Sequence, residues 1–299
     1  MAENTTTLTG AAEAPPRVSE WRRFRRVFFQ RKLVVFGLVI LAIMLFVAIT
    51  ANWIAPFNPY IGDLANKSLL LPNSEHWLGT DLQGRDVLSR LMFGTRSAFQ
   101  VGFITVAMAA MIGMALGVIS GYFGGVLGMV IMRLMDALMG FPMIILAMVV
   151  SAVLGAGLQN VIIALTVATV PGYARVMNAL TLSIRENDYI MAERSIGASN
   201  SRTMFKHILP NAMPPMIVLV TLQLGSLILA EAALSFLGIG IKPPGAAWGA
   251  MVNDGYRYML TNPVLSFAPG FAIMLVVFAF NMVGDGLRDA LDPRLRGTM

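Results

Sequence analysis

This chain contains no cysteine and only two histidines, His76 and His207, in 299 residues. Without a thiol there is no disulfide, no thiolate nucleophile and no sulfur-based metal site, and two histidines make no histidine cluster. A glycine followed by lysine is also missing. Lys32, Lys67, Lys206 and Lys242 each follow some other residue, which excludes a phosphate-cradling G-x-x-x-x-G-K-[ST] loop. The sequence therefore predicts no catalytic residue, no metal site and no cofactor in this chain, and energy from a nucleotide has to arrive through another chain. Charge is scarce as well: 13% of residues are charged against 57% hydrophobic, and the mean hydropathy is +0.71. Soluble domains run to about 45–50% apolar residues, so this chain belongs in a bilayer. The 22 methionines are scattered through the apolar runs and read as packing rather than metal handling.

Those runs predict an all-α integral membrane protein with six transmembrane helices. A hydrocarbon core of roughly 30 Å needs about 20 helical residues to cross. Residues 1–32 begin polar and end in WRRFRRVFFQRK, read as a tail and an interfacial helix with Trp21, Phe24, Phe28 and Phe29 toward lipid. The first span, 33–54, reads as an uncleaved anchor. The loop 55–97 follows, and further spans are expected at about 98–120, 142–158, 161–179, 213–237 and 265–283, with a polar tail at 289–299. Six spans put both termini on one side. Of the 22 Lys and Arg, sixteen fall on that side and six on the other. The positive-inside rule then places both termini and the segment 185–211 in the cytoplasm. The net charge of +6 is explained by topology, with no need for nucleic acid.

Between the spans, Thr80 or Asp81 is expected to begin a surface helix with Val87, Leu88, Leu91 and Met92 on one face and Asp81, Arg85 and Asp86 self-paired. Val126–Gly140 reads as amphipathic, with Arg133 and Asp136 spaced to pair. Glu231, with Gln223 on the same span, is a candidate gate or pathway group, since an ionisable side chain in a span costs about 2.5–3.5 kcal/mol on insertion scales. The competing reading is a structural carboxyl near the outer end of the span.

The segment 185–211, RENDYIMAERSIGASNSRTMFKHILPN, carries too many charges to lie in hydrocarbon. It reads as two short helices meeting at a corner. Asp188 caps the first, Tyr189–Ile196, Gly197 provides a left-handed stop, Ser199 or Asn200 starts the second, and Pro210 blocks it. Met204, Phe205, Ile208 and Leu209 recur at helical spacing and seek apolar cover. Such a two-faced knuckle suits plugging into a partner; an ordinary loop between spans is the alternative.

This segment resembles the cytoplasmic coupling loop of ABC importer permeases, with Ala192, Gly197, Leu209 and Pro210 in register with its E-A-A…G…I-x-L-P pattern. Met191 takes the Glu position, Glu193 the second Ala position, and Ile208 stands one place late. The stretch HWLGTDLQGRD, through His76, Trp77, Gly79, Thr80, Asp81, Gly84, Arg85 and Asp86, is similar to one that precedes the core of peptide-family permeases. AEAALSFLGIGIKPPGAAWGAM and FNMVGDGLRDALDPRL resemble the C-type permease subunit of dipeptide, oligopeptide and nickel importers. The resemblance implies a type I importer fold with its core at 98–288, in a bacterial inner membrane. It also implies a homologous second permease, two ABC ATPase subunits holding ATP and Mg, and an extracytoplasmic substrate-binding protein. By the same resemblance, the coupling loop meets a groove on the ATPase through Met191, Ala192, Glu193, Gly197, Met204, Phe205, Leu209 and Pro210. The cargo would be a peptide, or alternatively nickel or another metal complex. A self-contained carrier or channel and a non-transporting scaffold are the rival readings.

Overall fold

The computed structural model describes residues 20–291, whose regular elements are all helices, with no strand among them and an isolated bridge between Thr80 and Asp86. Helix α1, Glu20–Gln30, breaks at Arg31 and is followed at once by α2, Lys32–Ile54. Helix α2 is apolar almost all round, and Leu33, Phe36, Val39, Ile43, Phe46 and Ile49 remain exposed. In a bilayer that face meets lipid. Helix α1 is less lipid-like than its sequence suggests. Phe24 and Phe28 stack at 5.5 Å, Phe28 is buried, and the helix packs on α11, the last helix of the bundle, Val264–Leu291. The interfacial aromatic face expected there is partly covered by protein; the Trp21 side chain lies outside the described residues.

Helix α3, Val87–Phe123, is 37 residues long and absorbs both the end of the loop and the span expected at 98–120. Helix α4, Gly125–Met139, and helix α5, Met143–Leu154, meet at 91° across the Gly140–Phe141–Pro142 break. The run expected at 142–158 is thus a 12-residue helix, about 18 Å long and short of a full crossing by itself. Among the described residues, five helices are long and apolar enough to span a membrane, and the bent α4–α5 pair makes up to six. On α4, Asp136 pairs with Arg175 of the helix that follows α5 rather than with Arg133. That helix, α6, is Leu158–Arg185 with Pro171 inside it.

Helices α3 and α6 pack closely along their length. A Cβ on Gly117 would lie 2.6 Å from the Ala174 carbonyl oxygen and 2.6 Å from the Met177 Cβ. Small residues let helix backbones meet where lipid supplies no hydrophobic drive. Tyr173, Ala174 and Met177 fill the core on this side together with Tyr122, Met135, Ile208 and Met216. A second core joins α3 and α6 to the helices α9, Leu209–Phe236, and α11 through Leu165, Leu227, Ile228, Val276 and Phe280.

The loop ahead of α3 departs most from its sequence reading. Residues 80–86 form a turn in which the Asp81 carboxylate accepts the backbone N–H of Gln83 (2.8 Å) and of Arg85 (3.0 Å). The helix starts only at Val87. Asp86 caps it by accepting the Ser89 N–H at 2.7 Å. The predicted self-paired surface cluster is instead buried: Asp81 meets Arg85 at 2.7 Å and Arg90 at 3.3 Å, and His76 meets Asp86 at 3.0 Å. Arg90 also donates to the Pro59 carbonyl. These charges pin the loop to the end of the bundle instead of lying wet on it. Helix α10, Trp248–Tyr256, seals the same end, its Trp248 indole N–H donating to the Leu91 carbonyl at 3.0 Å. Burial pushes the Asp254 carboxyl of α10 above its ordinary range, with Arg90 opposing.

Candidate functional site

At the opposite end of α3, the segment between α6 and α9 folds into a corner. Helix α7 is Asp188–Ser195; Asn187 takes the cap position expected for Asp188, which lies inside the first turn with its charge favourable at the positive helix end. It stops at Gly197, whose φ of +84° is the left-handed conformation expected there. The N–H of Gly197 bonds the Arg194 carbonyl and that of Ala198 the Glu193 carbonyl, at 3.0 and 3.2 Å. This pair of reversed bonds is the Schellman closure. The Ser199 hydroxyl then accepts the Arg202 N–H and starts α8, Asn200–Arg202.

The chain does not stop at Pro210. A π-helical turn, Thr203–Ile208, leads straight into α9, so that Asn200–Phe236 forms one 37-residue helical unit. Proline blocks an α-helix because it lacks an N–H and its ring meets the carbonyl four residues back. The wide turn shifts the register so that the Leu209 N–H reaches the Met204 carbonyl, and Pro210 falls at the first positions of α9, where a missing donor costs little.

The apolar residues of the corner sort differently from their sequence spacing. Ile190 and Ile208 are buried, and Met204 and Leu209 pack on the core beneath. Phe205 turns outward, 69% exposed, because the π turn breaks the 3.6-residue period. Met191 and Tyr189 are also exposed, and Ile196 is 86% exposed. Ala192 and Pro210 lie on the surface as well. Tyr189 and Ile196 were not singled out by sequence; an apolar residue directly before the left-handed glycine was the available signal for Ile196.

Glu193 points inward. Its carboxylate lies 3.1 Å from Arg202 Nε and 2.8 Å from His207 Nε2. The corner as a whole is tied to the end of α3. Arg185 donates to the carbonyls of Gly121 and Tyr122 at 3.1 and 3.2 Å, a cation on the negative end of that helix. The Tyr122 hydroxyl donates to Asn200 at 2.9 Å, and the Arg194 guanidinium lies 5.8 Å from the Tyr122 ring centre.

The two pathway candidates sit elsewhere, on α9. Glu231 is buried at 1% exposure and accepts the Ser235 hydroxyl at 2.6 Å. Gln223 is half-buried on the same helix face, about 12 Å away along the axis. Neither is brought near the corner. Among the described residues, no group of His, Asp and Glu is arranged to hold a metal.

Comparison with known proteins matches this architecture. A family profile described as binding-protein-dependent transport system inner membrane component covers residues 113–297. A second profile, the N-terminal TM domain of oligopeptide transport permease C, covers 19–72. The dipeptide transport system permease protein DppC of Alkalihalophilus pseudofirmus is 42% identical over 295 residues, 97% of each chain. The glutathione transport system permease protein GsiD of Pectobacterium atrosepticum is 39% identical over 279 residues, 92% of each chain. These relatives are transport permeases, not enzymes. Among solved structures, an inward-facing MetNI methionine ABC transporter aligns with a TM-score of 0.56 at 23% identity, over 69% of this chain and 97% of that one. An amino acid ABC transporter aligns at 0.53 and 13% identity, over 68% and 94%. These structural likenesses bear on the fold alone. With a buried helical bundle, apolar spans and a profile match over most of its length, the chain belongs to the family of binding-protein-dependent transport system inner membrane components, as a translocation subunit of an ABC importer.

Proposed function

We propose that this subunit forms, with a homologous second permease, the membrane path for short peptides, and that two ATPase subunits drive it by docking at the corner around Gly197. The names of its dipeptide and glutathione relatives support a peptide cargo. Both termini and the corner face the cytoplasm in this reading, the buried loop and α10 face outward, and a substrate-binding protein delivers cargo there. ATP and Mg are held by the ATPase partners. Glu231 and Gln223 stand on the span that moves with the corner and are proposed as gate-side groups.

The observation that carries the reading is the corner itself. Met191, Ile196 and Phe205 present apolar surface at a water-facing bend, and that bend runs without interruption into a span. Exposed apolar groups outside the hydrocarbon call for a protein partner, and a continuous helix passes a displacement of that partner to the bundle. The differential contacts of the ATPases in their open and closed states would then select between two arrangements of the spans.

The test is reconstitution of the four-protein transporter with its binding protein. Phe205→Asp is expected to lower retention of the ATPase subunits by an amount equivalent to about 2 kcal/mol, as for a buried anchor residue, and to lower ATP-dependent peptide uptake with it. Peptide uptake by liposomes holding this chain alone would refute the proposal, as would full ATPase retention by the variant.

A further inference from the structure

We propose that Glu193 is a positioning residue whose carboxylate clasps the two arms of the corner together, fixing the angle between α7 and the long helix that continues into α9. The inference rests on the reading of the corner as the ATPase docking element and adds what holds its shape. Glu193 lies on α7, Arg202 on α8 and His207 in the π turn, so its contacts of 3.1 and 2.8 Å both cross the bend. Its side chain is 11% exposed, whereas that of Arg202 is 59% exposed. The carboxylate is therefore turned into the fold and away from any partner surface.

Two further features point the same way. Glu193 Oε2 and His207 Nε2 are both buried, and neither has a hydrogen-bond partner among the described residues. The two atoms face each other at 2.8 Å without hydrogen-bond geometry, so each buried polar atom has the other as its nearest polar neighbour across the bend. The outside of the bend that the clasp spans is open. A Cβ on Gly197 would meet nothing within 4 Å, so no packing props the outside of the turn. The Schellman closure fixes the local backbone but leaves the far ends of α7 and the π turn to be held by side chains. Tyr189 and Asn211 add a longer contact of 3.4 Å on an exposed edge. A docked motor pushing on Met191 and Ile196 would move α9 only if this angle is stiff.

The absence of native cysteine makes the angle measurable. Spin labels on Ser195→Cys and Lys206→Cys, both exposed, in the assembled transporter should give a narrow distance distribution. Glu193→Gln is expected to broaden it. The same variant should raise ATP hydrolysed per peptide imported on the order of fivefold, the scale of an ordinary coupling energy, while the ATPase subunits still co-purify. His207→Arg places a permanent cation opposite the carboxylate and should retain most of the coupling. The double variant Glu193→Ala with His207→Ala should be no worse than either single change. An unchanged distribution and unchanged ratio in Glu193→Gln overturn the clasp. Loss of the ATPase from the unsubstituted protein would instead refute the docking reading, so the two failures are distinguishable.

Discussion

A Cβ on Gly197 would meet nothing within 4 Å, and the residue has a φ of +84°. A larger residue there is penalised by backbone conformation alone and not by crowding. A β-branched side chain resists positive φ, at a cost of about 1–3 kcal/mol. Asparagine tolerates the left-handed region well. Gly197→Val is therefore expected to insert normally but to lose ATPase co-purification and peptide uptake, with Gly197→Asn close to the unsubstituted protein. Equal coupled ATPase activity in the valine variant would contradict the corner as drawn. The left-handed stop was legible in the sequence because glycine before a capping serine has few other uses. Glu193 was not, since its inward turn depends on His207 and Arg202 arriving from across the bend.

Among the elements, α3 and α6 depend on glycine for a reason opposite to that at Gly197. The atoms facing Gly117 are backbone and Cβ atoms that cannot swing aside. Gly117→Val should force the helices apart at a cost of about 1–3 kcal/mol or more, typical of overpacking, and should lower the yield of folded protein on size-exclusion chromatography. Gly172→Ala on α6, where nothing lies within 4 Å, is the matched control and should purify normally. The existence of the long apolar helices was readable from composition and run length. Their ends were not. Helix α3 starts at its Asp86 cap inside what read as loop, and the helix through Pro210 survives because a π turn shifts its register. Neither device has a periodicity that single-sequence reading detects. The buried charges of Asp81, Arg85 and Asp86 read as surface because charge in a loop usually is, and only the fold brings Arg90, anchored on the Pro59 carbonyl, against Asp81.

For the whole molecule, the asymmetry of Lys and Arg was legible without structure and sets the proposed orientation. It is checked with single cysteines in this cysteine-free chain. Leu260→Cys, fully exposed at the α10 end, should react with a membrane-impermeant maleimide in intact spheroplasts. Ser195→Cys should react only after permeabilisation. The reverse pattern would place the corner outside and remove the proposed coupling.

The unbroken run Asn200–Phe236 has a mechanical consequence. At 37 residues it is a rod of about 55 Å, with the corner at one tip and Glu231 near the other. Pivoted near its middle, such a crank would swing each tip by about 5 Å for a rotation of roughly ten degrees. A modest tug on the exposed phenylalanine would thereby reappear, reversed in direction, at the far mouth of the bundle.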